Sequence, residues 1–191
     1  TGGLPFHSGG DLPDRDDVHE HGTAFDRRGH KGRAVGQPPQ SERALVAALD
    51  RHERLIEVGV GRRPEVARAL AERGREVVAI DVEVSEAARE ASMETRPSSA
   101  GSLRVVGADV TVLATGDDER AIRDVLGFES SEIGFDAVYA RNLPAELQRP
   151  TVALAERLDA DCLFTTLGFE EPVVDVRRRS EESGTIVYVA R

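Results

Sequence analysis

A glycine turn between a predicted strand and a predicted helix has the spacing that favours a bound ligand. The apolar residues 55–60 predict a short strand that Gly59 and Gly61 interrupt, and Pro64 predicts the start of a helix. Glycine lets the backbone turn sharply and approach a ligand closely. A helix start presents free N–H groups and partial positive charge. We therefore expect this turn to hold a nucleotide-type ligand. The alternative is a nucleotide-type fold that has lost its ligand and keeps the glycines for the geometry of the turn.

Three carboxylates are expected near the carboxyl ends of three successive strands, those of Glu57, Asp81 and Asp109. Asp81 follows Gly61 by twenty residues, an offset at which a carboxylate can accept hydrogen bonds from ribose hydroxyls. Asp109 follows the third predicted strand and could accept a hydrogen bond from an adenine amino group. No third glycine completes a G-x-G-x-x-G fingerprint, and this argues against ordinary NAD binding.

Two arginines, Arg62 and Arg63, lie between the turn and the predicted helix. Guanidinium groups at a helix N-terminus attract a carboxylate or a phosphate. We therefore expect Arg62 and Arg63 to clamp an anionic end of the ligand. The alternative is that both are solvated side chains at a helix start.

Strands and helices alternate from Ser41 onward, and the pattern ends in two strands that predict an antiparallel hairpin. Alternation of this kind predicts a parallel sheet covered on both faces, so the fold class is Rossmann-like α/β. The arginine run 177–179 is expected at the hairpin turn. After the first strand, strands are predicted at 76–82, 103–107, 135–140, 161–166, 173–177 and 185–190. Helices are predicted from residue 41, from residue 64, and over 83–93, 117–126 and 144–158.

The segment Glu57-Val-Gly-Val-Gly61, with Asp81 after the second strand, resembles motif I and the acidic residue of S-adenosylmethionine-dependent methyltransferases. The resemblance implies a seven-stranded sheet that ends in an antiparallel hairpin, and S-adenosylmethionine as the cofactor. It also implies that Glu57 helps to place the methionine amino end, that Asp81 binds ribose and that Asp109 lies near adenine. The chain departs from this family at Arg63, where a third small residue is common, and it lacks the usual helix between the fifth strand and the hairpin.

A narrower resemblance covers about residues 43–191. The runs 54–81 and 139–148, the second reading Tyr-Ala-Arg-Asn-Leu-Pro-Ala-Glu-Leu-Gln, are similar to a family of small uncharacterised Rossmann-like proteins known chiefly from archaea. The resemblance implies a methyltransferase-like fold and no particular activity.

Asn142 follows the fourth predicted strand in a partial match to the Asp/Asn-Pro-Pro-aromatic motif of amino-directed methyltransferases. By that resemblance its side chain would hold a target amine. The alternative is a simple loop that leads into a helix at Pro144. Methyl transfer depends mainly on positioning, so no catalytic acid or base needs to be found. No catalytic residue is assigned.

The composition argues against several function classes. The 191 residues carry a formal net charge of −10, with Lys31 as the only lysine, and general nucleic-acid binding would need clustered positive charge. The single cysteine, Cys162, rules out a disulfide framework and is expected to be a buried thiol. An acid-rich, lysine-poor composition is typical of proteins from a high-salt cytoplasm, and a GC-rich genome is the other explanation.

Residues 1–40 differ from the rest because they hold 8 of the 18 glycines and show no lasting hydrophobic period. We predict a disordered N-terminal extension at 1–40 and one Rossmann-like α/β domain at 41–191. The extension offers its histidines no preformed geometry, so no metal site is expected. They are His7, His19, His21 and His30. The sequence shows neither a secretory signal nor an apolar run of about 20 residues, so a cytoplasmic location is expected.

The leading functional hypothesis is a protein that binds S-adenosylmethionine and transfers its methyl group to an unidentified acceptor. One alternative is a nucleotide- or NAD-binding protein that uses Asp81 for ribose. A second alternative, of another class, is a non-catalytic regulatory module that retains the fold.

Overall fold

The computed structural model describes residues 39–95, 101–116, 119–127, 134–168, 170–181 and 184–190. The predicted disordered extension lies outside these residues except for Pro39 and Gln40, and so do its four histidines.

One mixed sheet of seven strands forms the centre of the described chain. The strand order is β3-β2-β1-β4-β5-β7-β6, in which the first five strands are mutually parallel and β7 runs antiparallel to β5 and β6. This confirms the predicted fold class. The order reverses between β1 and β4, which makes their carboxyl ends the switch-point crevice where open α/β sheets bind ligands. The strands are β1 (Arg54–Val58), β2 (Glu76–Asp81), β3 (Ser102–Gly107), β4 (Ala137–Ala140), β5 (Asp161–Phe164), β6 (Val176–Ser180) and β7 (Ile186–Ala190).

Six helices cover the two faces of the sheet in the described chain. They are α1 (Gln40–Ala48), α2 (Glu65–Glu72), α3 (Glu86–Thr95), α4 (Val110–Thr115), α5 (Glu119–Leu126) and α6 (Ala145–Arg157). Successive side chains of a strand point to opposite faces. In β1, Leu55 therefore packs with α1, α2 and α3, whereas Ile56 and Val58 pack with α4, α5 and α6. Both faces are buried, which explains the continuous apolar runs of the central strands.

Two elements differ from the sequence predictions. Helix α4 was not predicted, because six residues are too few to show a helical period. The arginine run 177–179 lies in β6 and not at the hairpin turn, so that prediction was wrong. The exposed edge strand has no apolar alternation to mark it, and Arg178 stands opposite Tyr188 in the ladder. After β6, the Glu181 N–H donates to the Thr185 carbonyl at 3.1 Å.

The described residues between β5 and β6 contain no helix, as the sequence predicted. Thr165 instead forms hydrogen bonds with the segment that follows β4. Its carbonyl accepts a hydrogen bond of 2.7 Å from the Leu143 N–H, and its Oγ1 accepts one of 2.9 Å from the Asn142 N–H. The carboxyl ends of β4 and β5 are therefore held together by one short loop.

Candidate functional site

The glycine turn folds against the carboxyl end of β2. Gly59 and Gly61 have φ angles of +74° and +54°, a region that other residues rarely adopt. A Cβ at either position would meet nothing within 4 Å, so the backbone conformation and not crowding requires glycine. The Gly59 N–H donates to the Ile80 carbonyl at 2.9 Å.

Asp81 lies beside this turn, as its spacing predicted. Its Oδ2 accepts a hydrogen bond of 2.9 Å from the Gly61 N–H, and its Oδ1 accepts one of 3.0 Å from the Glu83 N–H. The Ser85 hydroxyl donates to the Gly61 carbonyl at 2.6 Å and fixes the other side of the turn. A carboxylate has about four acceptor positions. Two backbone donors therefore orient Asp81 and leave acceptor positions for a ligand.

An open cavity of about 660 Å³ lies next to Asp81. We call it the β2 cavity, and its lining includes Gly61, Arg62, Asp81, Val82 and Arg89. Val82, directly after β2, is 75 % exposed. The β2 cavity thus combines a pre-oriented carboxylate, an exposed apolar surface and two arginines. Neither arginine side chain has an ion-pair partner among the described residues.

Glu57 lies in β1, two residues before Gly59, and is buried. Only 1 % of the residue is exposed, and its Oε2 accepts a hydrogen bond of 3.0 Å from the Tyr139 hydroxyl. Burial is the main cause that raises the pKa of Glu57 to about 7, while the bond from Tyr139 and the charge of Arg141 act against it. Its Oε1 has no hydrogen-bond partner within the described part of the chain. Burial also raises the pKa of Tyr139 well above its usual range, and the Glu57 charge adds to this.

An ion-pair cluster of Glu42, Arg63 and Arg141 lies near Glu57, and in it Glu42 and Arg141 are buried whereas Arg63 is half-exposed. Arg63 Nη2 lies 2.6 Å and Arg141 Nη1 lies 3.3 Å from the same oxygen, Glu42 Oε1. Arg62 and Arg63 therefore diverge, since Arg62 lines the β2 cavity whereas Arg63 binds α1. The sequence analysis missed Glu42 and Arg141. Glu42 could have been noticed, because it stands three residues before Leu45, on the apolar face of the predicted helix.

Asp109 and Asn142 lie at the ends of other strands. Asp109 is exposed and caps α4, because its Oδ1 accepts a hydrogen bond of 2.7 Å from the Thr111 N–H. Asn142 follows β4 with a φ of +52°, a strained conformation that is found more often at functional positions. The eight predicted site residues therefore fall into three groups. Gly59, Gly61, Arg62 and Asp81 surround the turn and the β2 cavity. Arg63 belongs to the ion-pair cluster, and Glu57 is buried near it. Asp109 and Asn142 lie at the neighbouring strand ends.

Other candidate chemistry is confined to structural roles in the described residues. Cys162 is buried, and burial raises the pKa of its thiol to about 12. His52 is buried at the amino end of the sheet, where its Nε2 lies 3.0 Å from Asp161 Oδ2. No group of three or more potential metal ligands occurs within residues 39–190 as far as they are described. Over the same residues, no helix has the length and apolarity to cross a membrane.

Comparison with protein families gives one match. The family described as an uncharacterised protein family, UPF0146, matches residues 41–97 and 98–191. UPF0146 proteins from two Halobacterium salinarum strains, R1 and NRC-1, are each 41 % identical to this chain over 155 residues. The aligned region covers 81 % of this chain and 97 % of each relative. The expected similarity to a chiefly archaeal family of uncharacterised proteins is thus confirmed.

Similar solved structures include several methyltransferases. Magnesium protoporphyrin IX methyltransferase from Synechocystis, solved with bound S-adenosylmethionine, gives a TM-score of 0.47 at 15 % identity, covering 80 % of this chain and 79 % of that one. A TehB-like methyltransferase from Corynebacterium glutamicum gives 0.47 at 13 % identity, with 78 % and 85 % covered. The bifunctional kinase-methyltransferase WbdD gives 0.47 at 16 % identity, but this chain spans only 37 % of its length.

Proposed function

The chain belongs to the uncharacterised protein family UPF0146, and we propose that it binds S-adenosylmethionine at the carboxyl ends of β1 and β2. One observation carries the proposal, the contact of Asp81 with the Gly61 N–H beside the β2 cavity. It fixes a carboxylate acceptor next to a glycine turn at the carboxyl ends of parallel strands, where open α/β sheets bind ligands.

The adenosine half of the ligand would occupy the β2 cavity. Asp81 keeps acceptor positions for two ribose hydroxyls after its bonds to the Gly61 and Glu83 N–H groups. Val82, 75 % exposed, offers an apolar surface that an adenine ring would cover. Asp109, two residues beyond β3, would accept a hydrogen bond from the adenine amino group.

The amino-acid half would extend from the turn toward β4. Glu57 Oε1 is a buried carboxylate oxygen without a partner in the described chain, and an ammonium group would supply one. Because only 1 % of Glu57 is exposed, binding requires the side chains above it to move.

Methyl transfer to an acceptor near the end of β4 is the proposed reaction. The bound sulfonium supplies an activated methyl group, and the protein has to hold the acceptor in line with it. Asn142 is the proposed holding residue, because Thr165 fixes its N–H at 2.9 Å and its backbone is strained at φ +52°.

A second candidate ligand is an adenine nucleotide, and two side chains favour it. Arg62 and Arg89 both line the β2 cavity without an ion-pair partner among the residues described. Guanidinium groups beside a ribose-binding carboxylate would suit a phosphate, which S-adenosylmethionine lacks.

A calorimetric panel in concentrated KCl tests the two candidates. The ligands are S-adenosylmethionine, S-adenosylhomocysteine, ADP and NAD. The first two should stabilise the chain by about 2.7 kcal/mol at one hundred times Kd. Binding of ADP or NAD alone would overturn the proposal in favour of the nucleotide, and binding of none would favour a non-catalytic module.

Two variants test whether the ligand binds in the β2 cavity. Asp81→Asn should weaken adenosyl binding at least about tenfold, because a charged hydrogen-bond acceptor is lost. Asp136→Asn is the matched control, since Asp136 Oδ2 accepts two backbone hydrogen bonds of 2.8 Å at the opposite end of the sheet. Val82→Ser, at an exposed position, should weaken binding without loss of stability. Unchanged affinity in Asp81→Asn and Val82→Ser would place the ligand elsewhere.

A further inference from the structure

Two arginines from different parts of the chain converge on one oxygen. Arg63 follows the glycine turn, Arg141 follows β4, and both donate to Glu42 Oε1, at 2.6 Å and 3.3 Å. Arg141 also donates to the Arg63 carbonyl at 3.4 Å, so the two arginines are linked directly. Only 2 % of Glu42 is exposed, and only 10 % of the Arg141 side chain.

Glu42 does not use all the hydrogen-bond donors of the two arginines. Its second oxygen, Oε2, and the Nε of Arg141 are both buried and have no hydrogen-bond partner in the described chain. Buried charged groups are normally fully hydrogen-bonded, because an unpaired one loses its hydration without compensation. Two guanidinium groups carry ten N–H donors, and a single carboxylate oxygen engages two of them. The arginines therefore present more binding capacity than Glu42 uses.

The cluster stands at the switch-point crevice. Arg141 directly follows β4, and Arg63 lies after the turn that follows β1. The two arginines therefore follow the two strands between which the order reverses. Glu57 lies within the electrostatic range of the cluster, because the charge of Arg141 lowers its pKa and that of Glu42 raises it. The ion-pair cluster is therefore close enough to Glu57 to influence a charged group that binds there.

Helix α1 can release Glu42 without leaving the core. Glu42 lies in the first turn, and Pro39 before it provides no side-chain cap for the helix. The rest of α1 is anchored by buried side chains, among them Leu45 and Ala48. Opening of the first turn would therefore move Glu42 while the apolar contacts remain.

We propose that Arg63 and Arg141 form a carboxylate-binding site that Glu42 fills from within the chain, and that the carboxylate of an incoming ligand takes the place of Glu42. The exchange replaces one carboxylate by another, so the buried Arg141 guanidinium is not left unpaired, while Arg63, whose side chain is 50 % exposed, stays in contact with water. Glu42 thereby competes with the ligand, and the apparent affinity falls by the fraction of molecules whose site is free. The identity of that ligand as the amino-acid end of S-adenosylmethionine rests on the proposed function, whereas the exchange itself does not.

Acetate tests the carboxylate site without an adenosyl ligand. In Glu42→Ala, potassium acetate exchanged for chloride at constant ionic strength should raise Tm by several degrees along a saturating curve. The wild-type chain and the double variant Glu42→Ala/Arg141→Gln should not respond in this way. An equal response of all three chains would overturn the proposal.

Ligand affinity tests the competition, with Glu42→Gln as a variant that preserves the side-chain shape. S-adenosylhomocysteine should bind Glu42→Gln about tenfold more tightly than the wild type, because the internal competitor has lost its charge. Methylthioadenosine, which lacks the amino-acid end, should bind both equally. Glu65→Gln is the matched control, since Glu65 lies 4.0 Å from Arg63 Nε and should leave both affinities unchanged.

Failure of the carboxylate exchange and failure of the proposed function would give different results. Equal or weaker binding of S-adenosylhomocysteine by Glu42→Gln overturns the exchange while the proposed function stands. If no adenosyl compound binds any chain, the proposed function fails, and the acetate response of Glu42→Ala then decides whether the arginines form an exchangeable carboxylate site.

Discussion

The Tyr139 hydroxyl donates a 3.0 Å hydrogen bond to Glu57 Oε2 across the β1–β4 ladder, where the two residues are direct partners. Both side chains are fully buried. The bond joins the two strands between which the sheet order reverses, and it holds a carboxylate that is largely deprived of water. The stability of the crevice therefore depends on this pair.

Removal of the donor should destabilise the fold. Tyr139→Phe leaves Glu57 Oε2 unpaired, and we expect a loss of about 1–3 kcal/mol of unfolding free energy. Urea denaturation at pH 8 measures it, and the loss should shrink at pH 5, where Glu57 is protonated. Tyr188→Phe is the matched control, because Tyr188 packs near Phe164 on the opposite face of the sheet. Equal losses in the two variants would contradict a specific role for the Glu57 bond.

Glu57 should make stability fall as pH rises. Its pKa is raised from 4.5 to about 7, so between these values the folded chain retains a proton that the unfolded chain releases. The penalty therefore grows from pH 4.5 to about 7, to about 3 kcal/mol. The difference in unfolding free energy between the wild type and Glu57→Gln should show this slope. For the control Glu76→Gln, at an exposed position, the difference from the wild type should not change with pH in this way. A difference for Glu57→Gln that is independent of pH would contradict the raised pKa.

The single cysteine should report unfolding. With a pKa of about 12, the buried Cys162 thiol is scarcely ionised at pH 8. We expect its reaction with a disulfide reagent to be roughly 10³-fold slower in the folded chain than in urea, because the thiolate is the reactive form. A folded chain that reacts as fast as the unfolded one would show that Cys162 is accessible.

Salt should stabilise the chain. A net charge of −10 implies repulsion between acidic side chains, and the Debye length falls from about 10 Å at 0.1 M salt to about 3 Å at 1 M. We expect Tm to rise by roughly 4 °C or more between 0.1 M and 2 M KCl, the shift that about 1–2 kcal/mol gives at this size. Equal Tm at both concentrations would favour genome composition as the cause of the acidic sequence.

The part of the site that depends on local spacing could be predicted. Asp81 lies against Gly61 because the two residues close one strand–turn–helix–strand unit, whose length places them together. The strands β1 to β5 were predicted for a similar reason, since each is a short apolar run between polar segments.

The part of the site that depends on tertiary packing could not be predicted from the sequence. Glu42 and Arg141 are 99 residues apart, and their contact exists because α1 packs against α2 and β7, which brings Glu42 close to the residue that follows β4. No local pattern encodes that placement. The arginine run of β6 was misplaced because an exposed edge strand needs no apolar face, so its sequence resembles that of a turn.

Those three arginines have a consequence for contacts between copies of the chain. In the described residues, β6 pairs with β7 alone, so its other side presents open backbone groups to which a strand of another molecule could add. Two copies joined through β6 would set Arg177, Arg178 and Arg179 against the same residues of the second copy. Like charges across a ladder are destabilising, so we expect the arginines to disfavour pairing of this edge with a second copy.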